Sequence, residues 1–303
     1  MFFGMSFIGS ANSNFASPIY RDDIDYVEIK NGIFDDLYLT ANITDNYTAT
    51  IPTIWDYDTI LHANFNGNLF AGNSDFTVET TSHLRVKRRK KGTYKWTTLF
   101  EIPVNKKEDF SFTRIDKYAR GKTNYEYAIV PVLNNTEGNY NISNIETLFE
   151  GIFIVDANKI YHSKYNIEPI NTKRSNPSTI VVPIDREYPF VVTNGVTKKS
   201  NSSKITATFI EESVDGEDTA FNFERAWEYR DGFKDWLLNG LPKIIKYDDG
   251  RMWLVMITGD IDDDNDGHWD NVKTTFEFTE TGNCESNNDL YNNGLIDVYM
   301  NGE

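Results

Sequence analysis

The densest chemistry in the sequence lies between Asp260 and Asp270. Asp262, Asp264, Asp266 and Gly267 match the first half of a D-x-D-x-D-G calcium loop, in which alternating carboxylates converge on a hard cation and glycine permits the bend. The second half departs from that pattern. Its seventh position is His268, which offers only a carbonyl, its ninth is Asp270, and its twelfth is Lys273 where a bidentate glutamate is needed. Two expectations stay open: Asp262, Asp264, Asp266 and Asp270 hold Ca2+, or the stretch is a solvated acidic hairpin tip.

The opposite charge is concentrated in Arg85, Lys87, Arg88, Arg89, Lys90 and Lys91. Such a run reads as a solvated hairpin tip, as an electrostatic contact with an acidic surface on a neighbouring subunit, or as a nucleic-acid patch. The formal net charge of -16 argues against the last, because nonspecific affinity for a phosphate backbone needs the reverse balance. His62, His83, His162 and His268 are scattered singly, without the i, i+4 spacing of a helical zinc site. Nucleophile-elbow, phosphate-loop and dinucleotide-loop patterns are all missing from the sequence, so it is expected not to be an enzyme.

The single cysteine, Cys284, rules out an internal disulfide and suits synthesis in a reducing cytoplasm. No apolar run approaches the roughly 18 residues that a spanning helix needs, so no membrane partner is expected. The opening residues are apolar without a basic flank, and read as an arm. Phe2, Phe3 and Phe7 on that arm are candidate contacts with a neighbouring subunit, because exposed aromatic side chains favour association.

The elements that must position these groups are strands. Period-2 alternation runs through Leu84–Lys87, Trp96–Ile102 and Tyr125–Pro131, with a hairpin turn at Lys91-Gly92-Thr93. Strands resume at Ile152–Val155, Ser178–Val182, Tyr188–Val192 and Ile205–Ile210. Lys243–Tyr247 and Met252–Thr258 form a second hairpin about Asp248-Asp249-Gly250, and Asn271–Thr279 closes the set. One helix interrupts them: Ala226, Tyr229, Phe233, Trp236 and Leu237 recur at steps of three and four, and Asn239-Gly240-Leu241-Pro242 stops it. The expected fold is therefore mainly β, with two β-sandwich domains, the second carrying one flanking α-helix, and an extended N-terminal arm. The expected boundaries are 1–48 for the arm, 49–153 and 154–280 for the sandwiches, about 221–239 for the helix and 281–303 for a C-terminal extension.

The segment Tyr57–Asn73 resembles tail and baseplate proteins of phages that infect Gram-positive bacteria, and the alternation through Tyr125 and Tyr127 looks like a fibronectin type III module. Glu187–Gly195, Phe233–Lys246 and Arg251–Gly259 are similar to the C-terminal region of the same proteins, whose fold is shared by tail-tube and distal-tail proteins. The resemblance implies a structural virion subunit, assembled in the host cytoplasm, that forms a ring with copies of itself, a hexamer or dodecamer, or joins other tail, baseplate or connector proteins. DNA would pass through that ring, and an acidic lumen would repel its phosphates. It supplies no catalytic residue. The alternative from another class is a cell-surface or secreted carbohydrate-binding module, calcium-dependent through the Asp262 stretch.

Overall fold

A computed structural model describes residues 2–8, 11–14, 24–33, 36–40, 60–64, 78–175, 178–193, 200–215, 218–265 and 271–296. The chain is mainly β, and it divides into two units at Phe149/Glu150.

The first unit contains β1 (Phe2–Ile8), β2 (Ala11–Asn14), β3 (Val27–Ile33), β4 (Asp36–Thr40), β5 (Ile60–Asn64), β6 (Thr81–Lys90), β7 (Thr97–Pro103), β8 (Phe112–Asp116), β9 (Thr123–Leu133), β10 (Thr136–Glu137) and β11 (Asn141–Thr147). One sheet has the order β2-β1-β3-β8; a second runs β10-β9-β6-β7 with β11 also on β9; β4 and β5 form a separate pair. Alternation explains how the first two sheets meet. Val27 and Ile29 of β3 join Leu84 and Val86 of β6, Leu99 and Ile102 of β7, and Tyr125, Tyr127 and Ile129 of β9 in one buried cluster. Burying each aliphatic side chain contributes about 1.5–3 kcal/mol, so a charge at Val27 would break this packing. The expected N-terminal arm is thus corrected from residue 27 onward. β3 is an interior strand whose Val27 and Ile29 are fully buried, because alternation gives them a side that only a core can cover.

The second unit contains β12 (Ile152–Val155), β13 (Ile160–Ser163), β14 (Lys173–Arg174), β15 (Ser178–Val181), β16 (Phe190–Thr193), β17 (Asn201–Ala207), β18 (Glu212–Asp215), β19 (Asp218–Phe221), α1 (Ala226–Leu237), β20 (Lys243–Tyr247), β21 (Met252–Asn265), β22 (Val272–Gly282) and α2 (Asn287–Asn292). Seven strands form an antiparallel sheet in the order β13-β12-β20-β21-β22-β17-β14. Among the described residues β15 pairs only with β16, and β18 only with β19. The 3.6-residue period of α1 places Phe233, Trp236 and Leu237 against Ile154, Ile205, Ile245, Trp253 and Phe276 of the sheet. Gly240, at φ +74, ends the helix, and the Asn239 Oδ1 accepts from the Leu241 N–H at 2.9 Å.

Both outer boundaries of this unit differ from the sequence expectation. Ile152 pairs with Ser163 and Tyr247, so the second unit starts ahead of residue 154. Beyond residue 280 the chain stays in the fold: Cys284 is buried with its Sγ donating to the Met252 carbonyl at 3.4 Å, and Leu290 and Leu295 are buried.

Candidate assembly surface

The β15–β16 hairpin is the largest departure from ordinary burial in the second unit. Its strands are β-branched and aromatic, which suits a pleated ribbon, and Pro183 and Pro189 stop pairing at its tip. The register sets Ile180 opposite Val191 and Val181 opposite Phe190. Ile180, Val182 and Val191 therefore share one face, and Val181, Phe190 and Val192 the other. Every one of these six is exposed, from 48% at Val181 to 73% at Val182, and Ile184 and Tyr188 at the tip are exposed as well. Eight such side chains present roughly 800 Å² of largely apolar surface, above the few hundred Å² usual for the largest patch on a monomer. An isolated two-stranded ribbon is marginal in water, and apolar residues on both faces describe a ribbon meant to be covered. The Arg186 guanidinium stacks 3.9 Å over the Phe190 ring and screens part of one face.

The sequence shows both of these strands but gives no sign of their exposure. A short apolar run reads equally well as a strand buried on both faces. The available signal is context, an apolar island bracketed by the polar stretches Asn171–Asn176 and Thr197–Ser203.

The basic run is corrected by the structure. It is no hairpin tip: Arg85 to Lys90 lie in β6, and only Lys91 stands in the turn, next to Gly92 at φ +83. β6 keeps regular register with β9 from His83 to Lys90, so Arg88 follows Leu84 and Val86 onto the core-facing side while Lys87 shares the other side with Arg85 and Arg89. Lys87 is 2% exposed and contacts the Glu137 carboxylate at 2.6 Å and the Tyr140 hydroxyl at 3.2 Å. Arg88 is 5% exposed; it donates to Asp116 at 2.6 Å, and the Tyr127 hydroxyl donates to the same oxygen at 2.6 Å. Arg85 bridges Glu101 and Glu137, while Arg89 pairs with Glu126 and stacks on Trp96 at 4.4 Å. Lys87 and Arg88 are therefore committed within the first unit and are not offered to a neighbouring subunit.

Burial and pairing oppose each other at these groups. Burial alone would raise the Glu137 carboxyl, but hydrogen bonds from Lys87, Tyr140 and Arg85 hold it down at about 2. Burial pulls the Arg88 guanidinium down, and the Asp116 carboxylate more than reverses this, leaving it raised. In the second unit, burial pulls the Lys243 ammonium below its ordinary value against the attraction of Asp156 at 3.5 Å. That lysine also donates to Asn239 Oδ1 at 2.8 Å and to the Leu241 carbonyl at 3.1 Å, which ties β20 to the end of α1. These are groups that hold elements together.

The acidic stretch is strand for much of its length. β21 runs on to Asn265, with irregular register between Thr258 and Asp262, and sets Asp262 opposite Thr275 and Asp264 opposite Lys273. Alternation puts Asp262 and Asp264 on one face, both exposed, and turns Asp263 toward Lys234 at 2.9 Å and the Thr274 hydroxyl at 2.7 Å. Asp266 and Asp270 lie outside the described residues, as does His268. Among the described residues no group of three His, Cys, Asp or Glu side chains is placed to hold a metal ion. Phe2, Phe3 and Phe7 lie in β1, whose backbone runs parallel to β3, with Phe3 opposite Ile29 and Phe7 opposite Ile33; their side chains lie outside the described residues. His162 donates through Nε2 to the Glu150 carbonyl at 2.8 Å and stacks 4.0 Å from Phe153, a packing role.

No family model matches the chain, and no curated protein matches it. No described helix is long and apolar enough to cross a membrane.

Proposed function

We propose that the chain is a structural subunit of a bacteriophage tail or baseplate, part of a ring or connector at the tail tube or its distal end through which DNA passes. The observation that carries this reading is the β15–β16 hairpin, apolar on both faces and exposed on both. A surface of that kind belongs to a chain that works in an assembly, since leaving it in water invites aggregation. The mainly β framework, with one helix packed on the second unit's sheet, agrees with the resemblance to tail-tube and distal-tail proteins. Cations and carboxylates that lock strands together in β6 and around Lys243 suit a rigid part more than a reactive one.

The test is location in the particle. Antibodies raised against the purified chain, applied to tailed particles made by the genome that encodes it, are expected to label the tail or its distal end in negative-stain images. Intact particles without label, from a lysate in which the chain is abundant, would overturn the reading.

A further inference from the structure

Lys243, the first residue of β20, is fully buried, and its Nζ is set against a side-chain amide as well as a carboxylate. The chain between that amide and the lysine is short. Gly240, at φ +74, turns it after α1, and Pro242 fixes the backbone just before β20, so position 243 folds back onto position 239. Nζ donates to Asn239 Oδ1 at 2.8 Å. A carbonyl bond is about 1.2 Å long, so Nζ lies within about 4.0 Å of Asn239 Cγ. Reacting atoms meet at about 3–3.5 Å, so these two need to close by no more than about 1 Å.

The surroundings of Nζ fit an amine that reacts. Burial draws the Lys243 ammonium below its ordinary value, which raises the share of neutral amine with a free electron pair. A base stands beside it, since Asp156 is 5% exposed and its Oδ2 is 3.5 Å from Nζ. That carboxylate is fixed: Trp236 Nε1 donates to Oδ2 at 2.6 Å, and the Asn158 and Lys159 N–H groups donate to Oδ1 at 2.7 Å each. Burial pushes the Asp156 carboxyl up, but those donors outweigh it and keep the group ionised, ready to take a proton. The Leu241 N–H donates to Asn239 Oδ1 at 2.9 Å, where negative charge develops when Cγ is attacked.

We propose that Lys243 and Asn239 join in an isopeptide bond made by the folded chain itself. Asp156 takes a proton from the ammonium, Nζ adds its electron pair to Cγ, and charge moves onto Oδ1. The Cγ–Nδ2 bond then breaks with its electron pair on nitrogen. Nζ gives up two protons in all by way of Asp156, and Nδ2 gains both and leaves as ammonium, so the carboxylate is restored. Nothing is oxidised or reduced, and no co-reactant is consumed. Asn239 is exposed, which gives the ammonium a path to solvent. The reaction runs once and makes the part more rigid, with a covalent tie between the end of α1 and β20 where the fold has a hydrogen bond. It goes beyond the tail reading and does not depend on it.

The experiment is mass spectrometry of the purified full chain, held for days at neutral pH. The intact mass is expected to fall short of the sequence mass by one ammonia. Trypsin should fail to cut after Lys243 and release residues 235–246 as one peptide lacking that ammonia, with no fragment ions from breaks between positions 239 and 243. Lys243→Arg and Asn239→Ala are each expected to keep the full mass. A wild-type chain of full mass that is cut after Lys243 would overturn the proposal. So would release of residues 235–243 lacking an ammonia, because that product is a succinimide made by the Gly240 nitrogen on Asn239 Cγ, and it would persist in Lys243→Arg. Asp156→Asn is expected to stay unlinked, and linkage as complete as in wild type would overturn the part given to Asp156. Should that variant not fold, Trp236→Phe keeps a ring there and removes the N–H that holds the carboxylate; it should link several-fold more slowly, and an unchanged rate would overturn the same assignment.

Discussion

Replacing Asp116 by alanine tests whether the basic strand is held by internal pairing. Three donors converge on this carboxylate: Arg88 and the Tyr127 hydroxyl at 2.6 Å each on one oxygen, and the Tyr118 N–H at 2.9 Å on the other. The side chains of Arg88 and Asp116 are 6% and 1% exposed, so Asp116→Ala leaves a buried guanidinium without its counter-charge. Breaking a buried pair from one side costs about 3–5 kcal/mol. Taking roughly 4 kcal/mol, and about 1.4 kcal/mol per factor of ten, hydrogen-exchange protection of β6 and β9 amides should fall about a thousandfold. Native-state exchange read by mass spectrometry is the suitable assay, because it resolves the two units without assuming one cooperative transition. Peptides from β20 and β21 should keep their wild-type protection. Adding Arg88→Met to Asp116→Ala should recover part of the loss, since an apolar side chain tolerates the site that an unpaired cation does not. A fall of less than tenfold in β6, or no recovery in the double variant, would refute the reasoning.

Other outcomes follow from the same packing. Glu137 has its folded value lowered to about 2 from 4.5, so its contribution is present above about 4.5 and is lost as pH falls toward 2. With 24% of that side chain exposed, the discounted contribution is about 1–2 kcal/mol, and Glu137→Gln should flatten the acid limb of a stability-versus-pH curve over that window. Gly151 has φ +80 and an added Cβ would meet the Ser163 carbonyl oxygen at 2.2 Å, so Gly151→Ala should lower the second unit's stability by more than about 2 kcal/mol in urea melts. At Gly232, inside α1, an added Cβ meets nothing within 4 Å, and Gly232→Ala should raise stability by about 0.5–1 kcal/mol; a destabilised variant would show that the outer side of α1 is covered.

The sequence by itself determined the longer strands of both units, two hairpin turns and helix α1, because each is written in a local period; α2 and short strands such as β13 and β18 were not legible in it. Tyr125, Tyr127 and Ile129 alternate into the first core, and Phe233, Trp236 and Leu237 recur at helical spacing against the second sheet. Three things were decided only by tertiary structure. The basic run reads as a charged tip until strand pairing sets Lys87 against Glu137 and Arg88 against Asp116, residues 50 and 28 positions away in sequence. Val27–Ile29 reads as an edge strand within an arm until β1 and β8 pair on either side of β3. The Ile180 and Val191 segments read as strands, and whether such an apolar run is core or contact surface depends on what packs beside it, which no local period encodes. Charge pairing and burial are long-range properties, set by which strands the fold makes neighbours.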